Sequence, residues 1–155
     1  MKYRRDAEFA ELPLTVIASK ISTKGYRNIS IRIVRLGSSR AKAEGLRIGT
    51  VRRLPRGVKK EDYARKNIYD VWFPNLAPSE ELLKASSWTD ETSWQNFKRL
   101  YLAEMKEADK RRDIELLAAM SKHTNLSVGC YCESESHCHR SLLRVLLEKA
   151  GAEFG

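Results

Sequence analysis

The segment Ser30–Gly37, SIRIVRLG, is apolar on both faces that an extended chain presents. Side chains alternate with a period of two along a strand, so Ile31 and Ile33 share one face while Val34 and Leu36 share the other. A strand of this kind needs cover on both sides, which a sheet with helices on its faces provides and a half-solvated hairpin does not. The remaining pieces suit that solution. LTVIASKI (Leu14–Ile21), LRIGTVRRL (Leu46–Leu54) and NLSVGCYC (Asn125–Cys132) read as further strands, and IYDVWFPNLAP as an extended stretch stopped by proline. Helical segments lie between and after them. Ser79 can cap EELLK, and Ser87-x-x-Asp90 opens a longer helix. In that helix Trp94, Phe97, Tyr101 and Met105 recur at helical spacing and are expected in the core. RRDIELLAAMSKH turns Ile114, Leu117 and Met120 inward. CHRSLLRVLLEKAG closes the chain, with Gly151 as its C-cap. Strands interleaved with helices predict a single compact α/β domain of Rossmann-like three-layer type, its central sheet mostly parallel and flanked by helices. In such folds ligands bind beyond the carboxyl ends of the strands.

A chain of 155 residues suffices for one such core. No apolar run approaches the roughly 18 residues of a membrane span, so no membrane association is expected. The first twenty residues lack an apolar stretch followed by a small-residue cleavage site, so a secretory leader is not expected. The three cysteines fall within nine positions, a poor disulfide framework, which points to a reducing, cytoplasmic setting. Charge is unevenly spread. Up to Lys60 there are 16 Lys/Arg against 4 Asp/Glu, whereas the remainder has 13 against 16. The basic part suggests an anionic partner, either a small molecule or nucleic acid, unless it merely forms solvated strand and turn faces.

The segment Gly129–Ser141, GCYCESESHCHRS, holds every cysteine and two of the three histidines. Strand periodicity assigns Cys130 to the face of Leu126 and Val128 as a small buried hydrophobe, and puts Cys132 at the strand exit. Ser136 is a candidate cap for the last helix, with Cys138, His139, Arg140 and Ser141 in its first turn. The free N–H groups and dipole there favour an anion or a thiolate. On this reading Cys132 or Cys138 is the nucleophile and His139 or His137 a proton acceptor. Arg53, Arg56, Arg140 and Ser141 would hold phosphate, sulfate, carboxylate or a nucleotide-like ligand, with no cofactor. A metal reading uses the same residues: Cys130, Cys132, Cys138 and His139 make four soft ligands for zinc, at a spacing unlike the usual two-residue-gap knuckles. A cysteine-phosphatase loop, Cys-x5-Arg, is absent.

TVRRLPRGVKKEDY, YDVWFPNLAPSEELLK, SWQNFKRLYLAEM and LLAAMSKHTNLSVGCYCESESHCHRSLLRVLL occur in this order. Together they resemble the bacterial YeaO-like proteins, the family called domain of unknown function 488, from about Ser30 to the C-terminus. Residues 1–29 then form an N-terminal extension containing the first candidate strand, and 30–155 the YeaO-like domain. The resemblance implies a compact α/β domain but brings no established reaction. The family's Arg-Leu-(Trp)-Pro-Arg-Gly element falls on Arg53, Leu54, Pro55, Arg56 and Gly57, without the tryptophan. Its aspartate–aromatic pair falls on Asp70 and Trp72, and its Cys-His-Arg on Cys138, His139 and Arg140. Many relatives carry an acid where this chain has Arg52, and some lack the cysteines.

Overall fold

The computed structural model describes residues 29–86 and 90–155. Four short strands, β1 (Ile31–Arg35), β2 (Leu46–Gly49), β3 (Val71–Trp72) and β4 (Leu126–Cys130), form one sheet in the order β1-β4-β2-β3. Every pairing is parallel, with Ile31 and Leu46 both opposite Leu126, and Ile48 opposite Val71. Four helices accompany them: α1 (Glu80–Ala85), α2 (Glu91–Glu104), α3 (Ala108–Met120) and α4 (His139–Lys149). This is the single α/β domain that the strand–helix alternation predicts. The strand expected at Leu14–Ile21 and the cap expected at Ser87 lie outside the described residues.

Among the described strands β4, buried along its whole length, and β2 are the inner ones, whereas β1, with its two apolar faces, is an end strand whose Ile31 bridges Phe154. Ile31, Ile48, Leu126 and Val128 face one core, which also collects Trp94, Phe97 and Tyr101 from α2, Ile114 and Leu117 from α3, and Leu142, Leu143 and Leu147 from α4. The opposite face is built differently. Arg47 and Ser127, then Gly49 and Gly129, lie there, and the connection containing Val58, Tyr63, Ile68 and Tyr69 packs over Leu36 and Val51.

Gly49 and Gly129 are paired in register, and each makes room for a neighbour. A Cβ on Gly49 would enter the Tyr69 ring. A Cβ on Gly129 would lie 2.6 Å from Leu36 Cδ2 and 2.8 Å from the Val34 carbonyl oxygen. Gly129→Ala is therefore expected to destabilise the domain by about 1–3 kcal/mol, since a packed strand cannot retreat without strain. The midpoint of a urea titration at constant slope reads this directly.

Local signals set the helix ends. Ser79 accepts a hydrogen bond from Leu82 N at 3.1 Å and so caps α1. Asp90, the second half of the expected capping box, is itself the N-cap of α2 and accepts from Ser93 N at 2.8 Å. Gly151, at φ 85°, follows the last turn of α4 in the left-handed region that favours glycine. The expected cap of α4 is displaced. Ser136 bonds the side chains of Ser134 and His137, and Cys138 occupies the N-cap position.

Candidate thiol site at the carboxyl edge of the sheet

The chain leaving β4 bends at Tyr131 rather than continuing as a strand, and this bend decides where the cysteines go. Extended backbone would carry Cys132 away from Cys130 by about 6.6 Å of rise. Instead their sulfurs are 3.6 Å apart, and the loop through Glu133–His137 returns so that Cys138 joins them. The three Sγ atoms all lie within 4.8 Å of one another. Cys130 and Cys138 are buried, while Cys132 is exposed. Periodicity thus places Cys130 in the interior and Cys132 at the exit as expected, but the bend brings together sulfurs that a straight strand would separate.

A cavity of about 170 Å³ opens beside this cluster. Its walls come from β2's exit (Val51, Arg52, Arg53), from Pro78, Leu83 and Phe97, and from Tyr131, the three cysteines and His139. The Leu76–Ser79 segment is pinned from three sides to shape it. Tyr101 donates its hydroxyl to Leu76 O at 2.8 Å, Arg52 donates to Ala77 O and Pro78 O, and Glu104 accepts from both the hydroxyl and the backbone N–H of Ser79. Cys132 also borders a second space of about 210 Å³ with Asp90, Trp94 and His137. The His137 ring lies 5.3 Å from that of Trp94.

His139 is 5% exposed at the first turn of α4. Its Nε2 lies 2.8 Å from Thr50 O, and because a carbonyl only accepts, Nε2 carries the proton. Nδ1 keeps its lone pair, 3.8 Å from Cys138 Sγ. Burial holds the imidazole down at about 4, so it is neutral at physiological pH. The unfolded chain takes up this proton near pH 6.5 and the folded one only near 4. The stability contributed is therefore complete above pH 6.5 and lost as pH falls towards 4, on the order of 3 kcal/mol. Denaturation midpoints measured across that window should fall with pH in the native protein and flatten in His139→Gln.

The thiols differ as sharply. Hydrogen bonds from Cys130 and then Cys138 hold Cys132 well below the usual thiol range, against the effect of burial, and the fixed charge of Arg140 acts in the same sense. The neighbouring Cys132 sulfur pushes Cys130 up to about 11. Cys138 is raised further by Cys130, by Cys132 and by burial. Of the three, Cys132 is the thiol whose surroundings favour the thiolate.

The predicted anion ligands are dispersed. Arg53 lines the cavity, but its guanidinium pairs with Glu80 at 2.9 Å. Arg56 is exposed in the turn beyond and is not among the lining residues. Ser141 donates its hydroxyl to Cys138 O at 2.8 Å. Arg140 is 3% exposed and donates from Nη1 to Val34 O and from Nη2 to Glu133 O, both at 3.2 Å, while its Nε has no partner. Among the described residues no carboxylate forms an ion pair with it. It ties the loop after Cys132 to the end of β1 and supplies an unneutralised positive charge next to the sulfurs. Sequence reasoning passed over Arg52, whose guanidinium shares the cavity wall and bonds only to carbonyls. Its position at the strand exit beside Arg53 was the available signal.

The cluster could also hold a soft metal ion such as zinc. Tetrahedral coordination at a Zn–S distance of about 2.3 Å spaces sulfurs by about 3.8 Å. The 3.6 Å between Cys130 and Cys132 fits that spacing. His139 Nδ1 is near Cys138, and its Nε2–H on a backbone carbonyl is the outer contact that metal-bound imidazoles usually make.

The fold and the site define a small, all-parallel α/β domain with a thiol cluster at the carboxyl edge of its sheet. The chain belongs to the DUF488 family: the pattern described as the active DUF488-N3 subclade matches residues 31–151. No curated protein and no solved structure matches the chain.

Proposed function

We propose that the domain is a thiolate-dependent enzyme in which Cys132 attacks a small anionic electrophile bound in the 170 Å³ cavity. The observation that carries this reading is the exposed residue Cys132 in the cavity wall, its sulfur clustered with two buried thiols within 4.8 Å. A thiolate, not a thiol, is the nucleophile, and this surrounding favours one. Arg52 and the start of α4 border the same largely apolar space, so the ligand that suits it is a compact apolar body carrying a phosphate, sulfate or carboxylate group at its edge. The cavity is smaller than the roughly 300–1,000 Å³ of sites for drug-sized ligands, so the substrate is a compact group rather than a whole nucleotide. Arg140 acts as a positioning residue, through the loop it ties and the charge it adds.

The test is capture of the covalent intermediate. Incubation with p-nitrophenyl phosphate, sulfate or acetate should release nitrophenolate as the thiolate takes the phosphoryl, sulfuryl or acetyl group. Mass spectrometry should place the added group on Cys132, and Cys132→Ala should abolish both signals. An unmodified Cys132 with all three esters overturns the reading.

Zinc is the second reading, favoured by the 3.6 Å sulfur spacing. It predicts near-stoichiometric metal in protein purified without chelator, and a metal content near zero dismisses it. Nucleic acid is supported less well. Arg35, Arg40, Arg47 and Arg53 each pair with a carboxylate, so four of the ten basic residues described up to Lys60 are locally neutralised. Among the described residues no helix is long and apolar enough to cross a membrane.

A further inference from the structure

A lone nucleophilic cysteine needs no second thiol, yet here two accompany it, and the loop between Cys132 and Cys138 is exposed from Cys132 through His137. We propose that Cys132 and Cys138 form a reversible disulfide when hydroperoxides oxidise Cys132, making the site a peroxide-reducing dithiol centre as well as a nucleophilic one. This rests on the reading of Cys132 as the nucleophile, the exposed member of three cysteines whose sulfurs lie within 4.8 Å of one another.

The chemistry balances with a hydroperoxide as oxidant. The Cys132 sulfur attacks the outer oxygen and the O–O bond breaks. The leaving alkoxide takes up the proton that the Cys132 thiol gave up, and Cys132 becomes a sulfenic acid. Cys138 then loses its proton and attacks the Cys132 sulfur. The S–S bond forms as hydroxide departs and takes up that proton as water. Two thiols and one hydroperoxide thus give a disulfide, an alcohol and water, and an external dithiol restores the thiols by exchange.

Geometry chooses Cys138 over Cys130 as the resolving residue. Cys130 is the last residue of β4, in register with Arg35, and its carbonyl accepts from Leu36 N at 2.9 Å. Its backbone is held in the sheet and only Tyr131 separates it from Cys132, so the two Cβ positions have little freedom to turn into disulfide geometry. Cys138 instead stands at the N-cap of α4, joined to Cys132 by the exposed segment Glu133–His137, which is free of helix and strand pairing. Cys138 is 1% exposed, so peroxide reaches Cys132 first.

The experiment uses the full chain, freed of metal with EDTA and reduced, then treated with stoichiometric hydrogen peroxide. Intact mass should fall by two hydrogens, non-reducing peptide mapping should join the Cys132 and Cys138 peptides, and dithiothreitol should reverse both changes. Cys138→Ser, and Cys138→Ala as a second variant against misfolding, should stop at a sulfenic acid trapped by dimedone. Cys130→Ser should still form the disulfide. A Cys130–Cys132 link, or direct passage of the native protein to sulfinic acid, overturns the proposal. If Cys132 is alkylated by iodoacetamide and accepts a group from the nitrophenyl esters but gives no disulfide, this proposal fails while the nucleophile stands. If it does none of these, both fail.

Discussion

Glu44→Gln is expected to lower the stability of this domain by about 3–5 kcal/mol, the range for breaking one side of a buried ion pair. Arg47 is fully buried beneath the sheet face that carries Gly49 and Gly129, and Glu44 is its counter-charge. Glu44 Oε1 accepts from Arg47 Nε and from Ser127 Oγ, both at 2.7 Å, and Oε2 accepts from Arg47 Nη2 and from Ala41 N. Arg47 Nη1 completes the network on Ser38 O and Asn67 O. Burial alone would raise the Glu44 carboxyl, but the bonds from Arg47, Ser127 and Ala41 outweigh it and hold the group at about 2. Its protonation in the unfolded chain begins near pH 4.5. The stability it gives is therefore complete above that pH and lost as pH falls towards 2. Glutamine keeps the shape and one acceptor but leaves a buried guanidinium without an opposite charge. A loss below about 1 kcal/mol in denaturant unfolding at pH 7 would mean that Arg47 is not desolvated as the structure shows.

Removing the thiols that surround Cys132 should move the inflection of its alkylation rate up by about one to two pH units per thiol. A hydrogen bond to a charged group contributes about 1.5–3 kcal/mol, and each 1.4 kcal/mol moves the thiolate fraction tenfold below its pKa. Cys138→Ala and Cys130→Ala each delete one donor. Serine at the same positions still donates and should reverse much of that shift. That ordering separates hydrogen bonding from simple loss of packing, which would leave the inflection at Cys132 unchanged. The readout is the pH at which the iodoacetamide rate falls to half its plateau, resolved by residue.

The fold was legible because its evidence is periodic. Two-sided apolarity in SIRIVRLG, Ser79 before EELLK and the spacing of Trp94, Phe97 and Tyr101 each act locally, and the sheet and helices appear where they point. Edge or centre was not legible. Among the described strands Ile31–Arg35 is an end strand despite its apolar faces, because position in a sheet depends on pairing partners distant in sequence. The buried Glu44–Arg47 pair was equally hidden: two opposite charges three apart beside a glycine look like an exposed turn until Ser127 and Asn67 arrive from elsewhere. At the site, alternation along NLSVGCYC sorted Cys130 from Cys132 by burial, but the bend at Tyr131 that reunites them has no period to read. Arginine roles were the least legible. Arg53, Arg140 and Arg52 differ only in what stands opposite them: Glu80, two carbonyls with a spare Nε, and the carbonyls of Ala77 and Pro78.

The most direct measurement is the pH dependence of Cys132 alkylation by iodoacetamide in the reduced, metal-free protein, followed peptide by peptide. A thiolate held by Cys130 and Cys138 predicts a rate that stays level from pH 8 down to about 6, with its inflection at least about three pH units below the ~8.5 of a free thiol. A rate that rises with an inflection near pH 8.5 or above would show Cys132 to be an ordinary thiol, and the nucleophile assigned to this site would be wrong.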